Sequence, residues 1–263
     1  GGVAVEPAVQ HHQCTAFVRQ GDFAVYAIAY PLAPEDPHPA ALLATLRALS
    51  WLRTHHEHES VCVVGESAGA TLVTVAAALV SNPGALKAFE DALALEHGVP
   101  HERVSTWAYP RVDSVVSWYG VLDRDSWRGR GPLAFGLAWT FDTVREMSAF
   151  PRSWTRVPRH VRREAKHACD FLDFESVLRT GMVRTYPPCL LVSGTTDPLG
   201  LVNSSRLIRD TMTRLGLRVR LSEYEAGHAF IGLNPFVLWF LQGAQWRELA
   251  LPATLETVAF LRR

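Results

Sequence analysis

The sequence predicts an α/β domain spanning residues 1–263, a mainly parallel sheet with helices on both faces. Three observations carry that prediction. Short apolar, β-branched runs alternate with helix-length segments, the order that parallel βαβ units require. A length of 263 residues suits one large domain. Hydrophobic residues make up 48% and charged residues 20%, enough apolar material for a sizeable core.

The elements follow in order. "FAVYAIAY" (Phe23 to Tyr30) is a short, mostly apolar run, expected as a strand covered on both faces. The Pro-rich "PLAPEDPHPA" breaks it and leads into a helix from about Ala40 to Thr54, with Leu42, Leu46, Leu49 and Arg53 on one face. "SVCVVG" is the next strand, and Ala68 to about Val80 the next helix. Residues from about Lys87 to Arg111 read as a helix plus an irregular excursion. "SVVSWYGVL" (Ser114 to Leu122) and "PCLLVSG" (Pro188 to Gly194) are further strands, with a helix near Ser204 to Leu215 after the second. "RVRLSEYE" (Arg218 to Glu225) is the last strand, and a final helix runs near Ala253 to Arg262. Between them, residues 123–184 form a long stretch rich in Trp and Phe and then basic at "RVPRHVRREAK". A stretch of that length reads as a cap or lid-like insertion.

Charge and cysteine usage narrow the function classes. Acidic and basic residues balance at 26 each, so no overall field argues for nucleic acid or an anionic membrane. Cys14, Cys62, Cys169 and Cys189 are scattered, without a CxxC pair or a metal spacing. That pattern favours a reducing, cytoplasm-like compartment. "THHEHES" (Thr54 to Ser60) could tempt a metal reading, but its place between a helix and a strand reads as a solvated turn. No metal or other cofactor is expected. The basic "RVPRHVRREAK" could meet a membrane surface, although a solvated helix face is the simpler reading, and no apolar run reaches the ~18 residues of a membrane span.

Gly65-Glu66-Ser67-Ala68-Gly69 matches G-x-S-x-G, with a strand before it and a helix after it. In that context the serine sits on a strained turn that projects its hydroxyl away from the sheet. Side chains at Gly65 or Gly69 would meet neighbouring backbone, and the helix behind presents free N–H groups, that of Ala68 foremost. The competing reading is a tight turn with an idle serine.

A serine needs a base and an orienting carboxylate to become a nucleophile. "LLVSGTTDPLG" puts Asp197 just past one strand, and "SEYEAGHAFIG" puts His228 just past the next. Both fall at the carboxyl ends of strands, where ligands collect in open parallel sheets. His11, His12, His160 and His167 lack that position; Asp170 and Asp173 lie in the insertion, and Glu223 and Glu225 at the last strand.

"YPLAPEDPHPAAL", "VVGESAGATL", "LLVSGTTDPLG" and "YEAGHAF", in that order, resemble the hormone-sensitive-lipase-like branch of the α/β-hydrolases. That resemblance implies an esterase, lipase or deacetylase acting on small-molecule esters, with Ser67 as nucleophile, His228 as base and Asp197 orienting it. It also implies that Gly1 and Gly2 are what remains of a His-Gly-Gly-Gly loop. Their amides would then form the oxyanion hole with Ala68, and earlier strands would precede Gly1. Val3 stands where a third glycine is common, Pro31 where an arginine is common, and Glu66 where Asp is frequent. Two other readings share the fold. One is a non-catalytic binding protein like the plant gibberellin receptors, which resemble the family but lack the catalytic histidine; the other is a peptidase or amidase using the same three residues.

Overall fold

The computed structural model describes residues 11–31, 36, 39–56, 60–97, 103–123, 173–231 and 246–263. In chain order these hold α1 (His11–Gly21), α2 (Ala40–His55), β1 (Cys62–Glu66), α3 (Ala68–Ser81), α4 (Pro83–His97) and β2 (Ser114–Trp118). After them come α5 (Phe174–Arg179), β3 (Cys189–Gly194), α6 (Leu201–Arg214), β4 (Val219–Tyr224) and α7 (Leu251–Leu261). Short 3-10 and π turns lie at Val104–Thr106 and Trp246–Ala250.

The strands form a four-stranded sheet in the order β1-β2-β3-β4, every pair parallel. Alternating residues divide the core into two layers. Val115, Cys189 and Leu191 face a cluster containing Leu42, Leu46, Leu79, Phe89, Phe174 and Ile208, from α2 to α6. Val116, Trp118, Leu190 and Val192 face the other way, toward Phe17 of α1 and Ala253 and Val258 of α7. Helices therefore cover both faces, as the βαβ rhythm predicts.

Three expectations need correction. Residues 23–30 are not a strand in the described structure. A strand exists only by pairing, and no described strand lies beside them. Second, residues 173–184 belong to the core and not to a lid. Phe174, Val177, Leu178 and Val183 are buried against the main cluster, and Asp173 caps α5 by accepting the Ser176 amide at 2.9 Å. Residues 124–172 of the expected insertion, with the basic "RVPRHVRREAK", lie outside the described residues. Third, Arg53 is exposed, and the inward stripe of α2 is Leu42, Thr45, Leu46 and Leu49. Among the described residues no single helix is long and apolar enough to cross a membrane.

Candidate active site

Local backbone geometry builds the site first. Ser67 joins β1 to α3 with φ 49° and ψ −121°, outside the ordinary regions for a residue with a side chain. Packing holds it there. A Cβ on Gly65 would sit 2.4 Å from the Gly69 carbonyl oxygen, so strand and helix approach at a distance only glycine permits. The Ser67 amide donates to the Trp118 carbonyl at 2.9 Å, and the Ala70 amide donates back to the Ser67 carbonyl at 3.1 Å. Ala68 opens α3. Its N–H therefore falls in the first helical turn, where amides lack an acceptor within the helix.

The other two residues arrive on neighbouring loops. Asp197 follows β3 and His228 follows β4, and the loops are tied by the Thr196 amide donating to the Ala226 carbonyl at 3.2 Å. Gly194 permits that approach, since a Cβ there would stand 2.1 Å from the same carbonyl oxygen. The Asp197 side chain is fully buried. Its Oδ1 accepts the Leu199 amide at 2.8 Å, and its Oδ2 is 2.9 Å from His228 Nδ1. His228 Nε2 is 3.2 Å from Ser67 Oγ.

The proton arrangement follows from donor and acceptor chemistry. A carboxylate can only accept, so Nδ1 carries the imidazole proton. Nε2 of the neutral ring then presents its lone pair to the serine hydroxyl. Gln13 of α1 donates to the Ile231 carbonyl at 2.7 Å, fixing the far end of the histidine loop.

Ser67, Asp197 and His228 are thus brought together, and Ala68 lies beside them. Gly1, Gly2 and Val3 lie outside the described residues. Two of the competing carboxylates are engaged elsewhere: Asp173 caps α5, and Glu223 takes Arg206 with two contacts at 2.7 Å, while Asp170 lies outside the described residues. Of the "THHEHES" histidines, His55 stacks on Trp51 and His56 meets the same ring edge-on, and no metal-holding cluster of His, Cys, Asp and Glu is found among the described residues.

One participant escapes the sequence reading. Tyr119, one residue beyond β2, is fully buried and lies against His228 with ring centroids 5.2 Å apart at 68°. Its hydroxyl donates to Glu66 Oε2 at 2.8 Å. An aromatic residue directly after a strand was the available signal, but a strand read as running to Leu122 hides it.

A family model for the alpha/beta hydrolase fold matches residues 1–232. Among curated proteins the chain is similar to lipase 2 of Moraxella sp. (strain TA144), 33% identical over 89 residues. That match covers 32% of this chain and 21% of the lipase. Among solved structures it is similar to carboxyl esterase 2 from the mycorrhizal fungus Tuber melanosporum. The TM-score is 0.63 at 16% identity, covering 99% of this chain and 75% of that one. An esterase from the bacterial hormone-sensitive lipase family gives a TM-score of 0.62 at 18% identity, covering 100% and 73%. The chain belongs to the alpha/beta hydrolase fold family.

Proposed function

We propose that the chain is a serine hydrolase that cleaves small-molecule carboxylic esters through an acyl-enzyme. The observation that carries this reading is the continuous hydrogen-bonded chain from Ser67 Oγ through His228 to Asp197. In the proposed cycle Ser67 Oγ attacks the ester carbonyl while His228 Nε2 takes its proton. Asp197 holds the imidazole tautomer and stabilises the imidazolium that forms. The alcohol leaves with the proton from His228, and a water activated by the same nitrogen then releases the acid.

Charge on the tetrahedral oxygen would be met by the Ala68 amide, with Gly2 and either Gly1 or Val3 completing the hole. Each such donor contributes about 10²–10³ in rate. The lipase and esterases to which the chain is similar support the ester as substrate class.

The test is labelling with a fluorophosphonate probe followed by peptide mapping, on this chain and its Ser67→Ala and His228→Ala variants. The expected result is a label on Ser67 that both substitutions abolish. A folded chain that takes no label would support the binding-protein reading instead. Matched ester and amide substrates separate an esterase from a peptidase, with faster ester cleavage expected.

A further inference from the structure

The described residues with side chains and positive φ are Asp22, Ser67, Tyr119 and Ala229. Three of these four surround one site: the serine, the residue after His228, and Tyr119 at φ 39°. Such a backbone is strained for a residue with a side chain and persists only where the surroundings impose it. For Ser67 the sharp turn into α3 accounts for it, and for Ala229 the turn of the histidine loop. Tyr119 has no place in the proposed proton path, so its conformation calls for another explanation.

We infer that Tyr119 is a positioning residue that sets the His228 ring relative to Ser67. This rests on the proposed hydrolase reading and assigns a further residue to the same site. The position is over-determined. The Tyr119 amide donates to the Val192 carbonyl of β3 at 2.6 Å, while the preceding carbonyl, of Trp118, accepts the Ser67 amide at 2.9 Å. The hydroxyl is fixed on Glu66, the residue directly before the nucleophile.

The ring meets His228 edge-to-face and packs on Phe230 at 5.8 Å, and Phe230 in turn packs on Tyr224 of β4 at 5.5 Å. One side chain therefore touches both the segment that carries Ser67 and the loop that carries His228. Asp197 restrains the imidazole only from its Nδ1 edge. A second, aromatic contact is what stops rotation about that hydrogen bond from swinging Nε2 away from the hydroxyl. Aromatic pairs of this geometry are orientationally selective, and small misplacements of a catalytic group cost large factors in rate.

The test compares Tyr119→Phe, which keeps the ring contact and loses the tie to Glu66, with Tyr119→Leu, which loses both. kcat and KM for a chromogenic short-chain ester are read well below each variant's melting temperature. The expected result is kcat lowered about threefold in Tyr119→Phe and about thirtyfold in Tyr119→Leu, with KM nearly unchanged. A purely structural role would lower the melting temperature and leave kcat per folded molecule alone. The low-field proton resonance of His228 Nδ1–H supplies a readout that needs no turnover. It should broaden or shift in Tyr119→Leu and shift less in Tyr119→Phe.

Unchanged kcat together with an unchanged resonance in folded Tyr119→Leu overturns the inference, and Tyr119→Met, which also removes the ring, takes its place if the leucine variant does not fold. An active wild type that survives Ser67→Ala would instead sink the hydrolase reading, so the two failures are distinguishable.

Discussion

β1 and β3 each lead into one end of the Ser67–His228–Asp197 chain, yet different forces hold them. All six residues of β3 are buried, and β3 lies between β2 and β4. In β1 only Gly65 is buried, and among the described residues β1 pairs with β2 alone. Asp197 is therefore placed by a strand inside the sheet. Ser67 is placed mainly by the local turn, through the Gly65–Gly69 approach and the Trp118 carbonyl. Burial on both faces positions one residue and close backbone contact the other.

Alanine at the two glycines tests this division most severely. Gly65→Ala puts a Cβ against the Gly69 backbone, which has little freedom to move because α3 is buried along most of its length. We expect a loss of about 3 kcal/mol in urea unfolding and near-complete loss of fluorophosphonate labelling. Gly194→Ala meets the Ala226 carbonyl at 2.1 Å and should destabilise by a similar amount. Its effect on chemistry differs, because it displaces Asp197 and His228 while leaving the serine turn intact. Labelling should persist at Ser67 but about a hundredfold more slowly. Equal labelling in the two variants would mean that the loops move as one unit.

Side-chain truncation gives a smaller contrast. Leu191 on β3 is fully buried in the main core, so Leu191→Ala should cost about 3 kcal/mol of stability. Val63 on β1 is only partly buried, and Val63→Ala should cost about 1 kcal/mol. The check is the urea midpoint at unchanged slope. Comparable losses would show that β1 is as firmly packed as β3.

The same contrast explains what the sequence made legible. β3 and β2 read as strands because both faces are buried, which leaves uninterrupted apolar runs. Ser67 read from its glycine-flanked turn between strand and helix, and Asp197 and His228 from strand-to-loop position, since a parallel sheet gathers its carboxyl ends on one side. Phe23 to Tyr30 has the same apolar composition but no paired neighbour among the described residues, and pairing is a tertiary fact that composition does not carry. α1 was missed because His11–Gly21 is largely polar, its inward side marked by little more than Phe17 and Gln13. Phe174–Arg179 hid inside a segment whose length suggested an insertion. Tyr119 was hidden for a different reason: its neighbours Glu66 and His228 are 53 and 109 positions away in the chain. Only folding brings them to its ring.

The smallest expected effect lies in the cysteines of the two strands. Cys189 on β3 is buried, and burial pushes its thiol up to about 12 from an ordinary 9.0. Cys62 on β1 is partly exposed. In the native protein at pH 8 a thiol reagent should modify Cys62 and spare Cys189 until the chain unfolds, as read by peptide mass mapping. Below pH 9 the Cys189 thiol keeps its proton in both folded and unfolded chains and contributes no pH dependence. Between 9 and about 12 the unfolded chain releases that proton while the folded chain retains it, so stability falls as pH rises. Tyr30, raised to about 12 by burial and by the nearby Glu66 carboxylate, adds a loss of the same sign above pH 10. Cys189→Val removes the first contribution and leaves the second. Its urea midpoint should therefore decline less between pH 8 and pH 10.5 than that of the wild type, whatever the substitution costs at neutral pH. Parallel declines in the two proteins would place the alkaline sensitivity elsewhere, and would mean that β3 opens to water more readily than its complete burial implies.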